Sequence, residues 1–341
     1  VSREHADHPG AAHYIIHSYD HAPLAAQALP AARRYGQIAP AASHAVHMPS
    51  HIYTQLGMWE DSIRANLASI AVARRAQAGG HPGTDDELHA SRYLTYAYLQ
   101  RGEQRAAADV LERVGALGMA SHSGAAGMLH GSTITFAVQS ALERHDWAEA
   151  AAIAPTEGMS TGSLMLVHWA RALGSARGGD VAGARKATDE LQAVYDREFR
   201  EGREGMEWHA GEIELQEARA WLAQAEGQSD RAVALMKDIA EKEKAGRGVP
   251  LIDPPILPPR EQLGDLLLEQ KRPKEALAEY QAALAAAPHR LDGLYGAARA
   301  ARFSGNLAEA KRYFAELEKL CSAADPAFPA LVEAREFLAA N

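Results

Sequence analysis

Apolar positions in this chain recur at intervals of three and four and almost nowhere alternate, a pattern that predicts helices throughout. The apolar stripes are interrupted at turn residues, each followed five positions later by a small residue. Gly57/Ser62, Gly102/Ala107, His145/Ala150, Gly179/Ala184, Gly227/Ala232, Lys271/Ala276 and Gly305/Ala310 are these pairs. They predict seven hairpins, with a first helix A ending at the turn residue and a second helix B carrying the small one. An earlier hairpin centres on Ala28 and closes at Pro40. Successive turn residues stand 34 to 48 positions apart, so the array is irregular.

The C-terminal third shows the period most cleanly. Leu263-Gly264, Ala276, Tyr280, Ala283 and Pro288 are spaced as in a tetratricopeptide repeat, and Ala310, Phe314 and Leu317 repeat the middle three after 34 residues. Small residues let helix A approach helix B, the aromatic fills the gap between hairpins, and the proline ends helix B. The predicted fold is all-α: a tetratricopeptide-like α-solenoid of seven to eight antiparallel hairpins forming a right-handed superhelix. Three segments are expected, an irregular array over 1–245, a proline-rich loop over 246–259 and regular repeats over 260–341. The loop reads as either a cover across the concave groove or a spacer between sub-arrays.

Composition narrows the function. A net charge of −9 with no basic stripe argues against nucleic acid as a partner. No stretch has the length and hydropathy of a membrane span, and a cytoplasmic location is expected. The single cysteine, Cys321, rules out an internal disulfide and reads as a small buried hydrophobe. Starting at Val1 without a charged-then-apolar leader, the chain reads as a processed protein or a piece lacking upstream repeats.

The candidate chemistry is histidine. Eight of the sixteen histidines lie within the first 51 residues. His13 and His17 form an i, i+4 pair on the first A helix, and His47 and His51 repeat that spacing 34 residues later. A pair at this spacing puts two imidazoles on one helix face, as in helix-borne metal sites. His13, His17, His47 and His51 are therefore the expected metal ligands. Zinc is the default ion for such a donor set, with copper, nickel or iron as alternatives. Pro49 is expected to open its helix and leave His47 in the preceding loop. Asp20 and Glu60 are nearby oxygen donors, and His8, His21 and His44 are candidate outer partners. Ser50 reads as a cap for the helix that Pro49 opens.

His89, His130, His168 and His209 fall on the next four A helices, which line the concave face in such superhelices. Together with Tyr14, Tyr53 and Arg260 they are the expected lining of a ligand-binding groove, with Arg260 a candidate partner for a carboxylate.

Two segments carry a family resemblance, His8-Pro9-Gly10-Ala11-Ala12-His13-Tyr14-Ile15-Ile16-His17 and His47-Met48-Pro49-Ser50-His51-Ile52. With them the chain resembles a group of bacterial tetratricopeptide-repeat proteins of poorly defined function. The resemblance covers most of the chain and implies the helical-repeat fold without implying a reaction. The function expected from the whole is a scaffold that takes a peptide, a protein or a small ligand in its groove and carries a histidine-based transition-metal site. A metal-dependent hydrolase or oxidoreductase is the first alternative, and a metal-free interaction module is the second.

Overall fold

The computed structural model describes residues 8–120, 126–200, 211–246 and 255–341, and these are helical hairpins joined by short turns. In chain order the helices are α1 (Pro9–Ser18), α2 (Ala22–Ile38), α3 (Ser43–His47), α4 (Pro49–Gln55), α5 (Trp59–Ala78) and α6 (Thr84–Gln100). Then come α7 (Gln104–Ala120), α8 (Ala126–Glu143), α9 (Trp147–Ala152), α10 (Thr161–Arg177), α11 (Val181–Arg200) and α12 (Glu212–Ala225). The last are α13 (Ser229–Gly246), α14 (Pro259–Glu269), α15 (Pro273–Ala286), α16 (Leu291–Phe303), α17 (Leu307–Leu320) and α18 (Pro329–Ala340). Among the described residues there is no strand, and no helix is long and apolar enough to cross a membrane.

The turns follow the expected markers. Gly57, Gly102, His145, Gly179, Gly227, Lys271 and Gly305 all have positive φ, between 54° and 85°. Each ends its helix in a Schellman-type closure, in which the next residue's N–H returns to the carbonyl five positions back. Met58 bonds to Tyr53 at 2.8 Å, Asp180 to Ser175 at 2.8 Å and Asn306 to Ala301 at 2.9 Å in this way. The small residue five positions on is buried in every case, from Ser62 and Ala107 to Ala310, because helix B crosses helix A there. Tyr280 and Phe314 fill the gaps they were expected to fill. A Cβ on Gly296 would stand 2.2 Å from the Tyr280 ring, so α16 packs on the ring only through a glycine.

The chain forms two compact units. Among the described residues, the first comprises those within 1–114, 246–255 and 280–341, and the second those within 115–245 and 256–279. Within the first unit the C-terminal hairpins pack against the N-terminal ones. Trp59 Nε1 donates to the His289 carbonyl at 2.7 Å, and Leu291 N–H donates to Gln100 Oε1 at 2.9 Å. Arg290 is buried on the Tyr96 hydroxyl, and Asp325 N–H reaches the Gly102 carbonyl at 3.1 Å. Cys321 is fully buried there, which pushes its thiol up to about 12.

Within the second unit, Trp169 and Trp221 are core residues, and the Arg177 guanidinium lies between the Trp147 and Trp221 rings, 4.3 and 4.2 Å from their centroids. Most of the proline-rich loop, residues 247–254, lies outside the described residues, so neither expectation for it is decided. Its end is pinned inside the second unit. Leu257 is buried, its N–H donates to Glu143 Oε1 at 3.2 Å, and its carbonyl accepts from Gln262 at 2.7 Å.

Candidate metal centre

The histidine-rich site is built in the first unit on α1, α3, α4 and α6, over a core of Ala12, Ile16, Ala25, Ala28, Ala32, Tyr35, Ala45, Met48 and Ile52. Alanines dominate this core, so helices come close enough for short polar rings to meet across them. The His8 side chain accepts from Ala11 N–H, and Pro9 stands in the first turn, which fixes where α1 begins and which face it turns inward.

Pro49 opens α4 and His47 precedes it, as expected, but His47 is not in a loop; it is the last residue of α3, and Met48 continues in right-handed helical geometry (φ −48°, ψ −36°) into α4. The physical reason is that Pro49 lacks only an N–H that the first turn would leave unpaired, while its ring φ suits a helix. His47 and His51 therefore keep a helical i, i+4 relation, with ring centroids 4.9 Å apart.

Among the described residues two groups of three imidazoles result, and within each group the ligand atoms lie within 4.8 Å of one another. The inner group is His47, His51 and His89; the outer is His13, His17 and His44. The four expected ligands are thus shared between neighbouring triads, His47 and His51 in one and His13 and His17 in the other. The triads adjoin, with centroid separations of 5.9 Å for His17–His51 and 6.3 Å for His44–His47.

The inner triad is the more constrained. His47 is 1% and His51 3% exposed, while His89 is half-buried. His51 Nδ1 lies 2.6 Å from Asp20 Oδ2, and Asp20 Oδ1 accepts from Gln55 at 3.1 Å. His47 Nδ1 lies 2.7 Å from Asn66 Oδ1. The Asn66 amide is oriented by its own N–H, which donates to the Ser62 carbonyl at 2.8 Å. Ser50, fully buried, is 3.2 Å from Asn66 Oδ1 and donates to it, and the Tyr93 hydroxyl is 3.1 Å from His51 Nδ1.

These partners decide where the ring protons sit. A carboxylate and an amide oxygen accept only, so both Nδ1 atoms must carry hydrogen. Both Nε2 atoms then present lone pairs, and they face each other at 3.0 Å. Two buried lone pairs at that distance repel unless a cation lies between them. Two nitrogens on one tetrahedral zinc stand about 3.3 Å apart, given Zn–N distances of about 2.0–2.1 Å. A proton could fill the place only by making a buried imidazolium, and burial, with His51 and His89 alongside, holds His47 well below the usual histidine range. Burial lowers His51 likewise, and to a lesser degree His13, His17 and His44. Burial also pushes the Asp20 carboxyl up to about 6.

The remaining candidates are dispersed. His89 belongs to the inner triad. Tyr14 is 74% exposed and stacks on His13 with centroids 5.8 Å apart, while Tyr53 is buried. Glu60 is exposed among Arg64 and Arg101. His168 and Arg260 belong to the second unit, where His168 Nδ1 stands 3.2 Å from Glu190 and Arg260 is held by Glu241 and Glu279. His209 and the side chain of His130 lie outside the described residues. His44, expected only as an outer partner, and His89, expected in a groove, belong to the triads, and Asn66 and Tyr93 carry no expectation from the sequence. The available signal for His89 and Tyr93 was their own i, i+4 spacing on an A helix.

No protein-family model matches the chain, and no curated protein matches it. Solved structures do show similarity. One is a tetratricopeptide repeat protein from Parabacteroides merdae, 11% identical, with 87% of this chain and 97% of that one covered and a TM-score of 0.41. The Naa15/Naa10 complex bound to HypK-THB gives 12% identity, 98% and 61% coverage and a TM-score of 0.27. The P58(IPK) TPR domain gives 13%, 93% and 94%, and 0.22.

Proposed function

We propose that this chain is a helical-repeat scaffold whose N-terminal hairpins bind a transition-metal ion through His47, His51 and His89. The observation that carries the reading is the pair of Nε2 atoms 3.0 Å apart, with both Nδ1 atoms committed to oxygen acceptors. A histidine whose far nitrogen donates to a carboxylate or amide oxygen is the usual form of a metal-bound imidazole. An all-imidazole donor set suits zinc first, with copper, nickel and iron as the other members of the class. The scaffold around the ion is a surface of paired helices, the kind that takes a peptide, a protein segment or a small ligand.

The test is metal analysis of protein purified without a polyhistidine tag and dialysed against a weak chelator. One tightly held equivalent is expected, and it should disappear in the double variant His47→Ala/His51→Ala. Added zinc should raise the melting temperature of stripped wild type, since metal at a hundredfold over its Kd contributes about 2.7 kcal/mol. If the wild type holds no metal and neither zinc nor copper shifts its melting, the reading fails.

A metal-dependent enzyme is the second reading, favoured by one feature. The inner group has three protein ligands, and three leave one tetrahedral position for water or substrate, as in hydrolytic zinc centres. Hydrolysis of a chromogenic ester that tracks metal loading and is lost in His89→Ala would support it.

A further inference from the structure

We infer that His13, His17 and His44 form a second metal site beside the first, so that the N-terminal hairpins hold two transition-metal ions side by side. The inference deepens the reading of the inner triad and rests on it for the class of ion. Its own support is geometric. His13 and His17 are one turn apart on α1, and their ring centroids are 4.7 Å apart. His44, from α3, brings its ring to 5.1 Å from His13, and the nitrogens of all three lie within 4.8 Å of one another. Two separate elements thus turn imidazoles toward one point next to a site of the same composition.

Packing alone does not account for this convergence. His17 is exposed and the other two rings are only half-buried, so burial does not force the three together. Held together, the three rings bring their nitrogen lone pairs within 4.8 Å of one another. A shared cation uses those lone pairs.

Charge is also supplied at the right places. Asp20 bonds His51 of the inner triad, whose ring lies 5.9 Å from that of His17 of the outer one. Asp86, hydrogen-bonded by the Ser43 hydroxyl, lies near His44. Two dications next to one another still repel, so the second is bound more weakly than the first. The outer triad is the weaker one because it is less buried and water competes for its ion.

The experiment is equilibrium dialysis with zinc(II), read by elemental analysis, on tag-free wild type and two double variants. Wild type is expected to take two equivalents, the second about tenfold or more weaker. His17→Ala/His44→Ala should keep only the tight equivalent, and His47→Ala/His51→Ala only the weak one. The single variant His17→Ala, at an exposed position, should lose or strongly weaken the second equivalent while its circular dichroism melting follows the metal-free wild type.

Wild type that saturates at one equivalent, unchanged in His17→Ala/His44→Ala, overturns the second site and leaves the inner reading standing. One equivalent lost in that variant but kept in His47→Ala/His51→Ala overturns the inner reading instead. Two equivalents surviving His17→Ala/His44→Ala overturn this ligand assignment.

Discussion

Asp20 holds the arrangement together at the scale of single residues. It is buried, its two oxygens take Gln55 and His51, and as a carboxylate it accepts the His51 proton on Nδ1. In Asp20→Asn the charge is gone and the amide can offer a hydrogen to His51, which would reverse the tautomer and turn an N–H toward the ion. Zinc affinity of the inner site should fall about 10–100-fold, as for other partners behind a metal-bound histidine. Competition against a chromogenic chelator measures this. Unaltered affinity would mean that Asp20 only fills space.

At the scale of elements, the repeated unit is a helix closed by one left-handed residue and followed by a helix whose small fifth residue is buried. That grammar is local, and it was legible. Every marker from Gly57 to Gly305 has positive φ, and every small partner is buried. Substitutions at two markers separate the cost of backbone conformation from the cost of contact. Gly227 has φ +79° and open space where a methyl group would stand, whereas a Cβ at Gly57 (φ +64°) would lie 2.1 Å from the Pro288 carbonyl oxygen. Gly227→Ala should therefore cost about 1–2 kcal/mol, from the left-handed backbone alone. Gly57→Ala should cost about 1–3 kcal/mol more, because the C-terminal hairpins must shift. Urea unfolding of the two variants checks this, and equal losses would contradict the close approach. The junction at Pro49 was less legible, since a proline signals a helix start and does not reveal that the preceding turn is helical as well.

Over the whole molecule, the feature that no local pattern announced lies inside the first unit, where residues near the two ends of the chain pack together. Arg290 is the clearest case. It is 1% exposed, and it bonds Tyr96, which is 194 positions away in sequence. Arg290→Ala removes that bond and leaves a cavity between α6 and the start of α16, at an expected cost of about 2–4 kcal/mol. Thermal unfolding followed by circular dichroism should report it. A melting curve identical to wild type would show that this contact contributes nothing to the unit's stability.

The sequence by itself determined the helices, their turns and the two i, i+4 histidine pairs. These depend on φ preferences, side-chain size and a 3.6-residue period that act within a few neighbours. Only the tertiary structure decided which histidines share a site. His44 joins His13 and His17, and His89 joins His47 and His51, because of how α1, α3, α4 and α6 are rotated and crossed. That rotation is set by alanine-rich packing among helices distant in sequence. The proton positions followed the same way, from Asp20, 31 residues before His51, and from Asn66, 19 residues after His47. A repeat pattern states that such side chains are present, and packing between the helices gives them a common point.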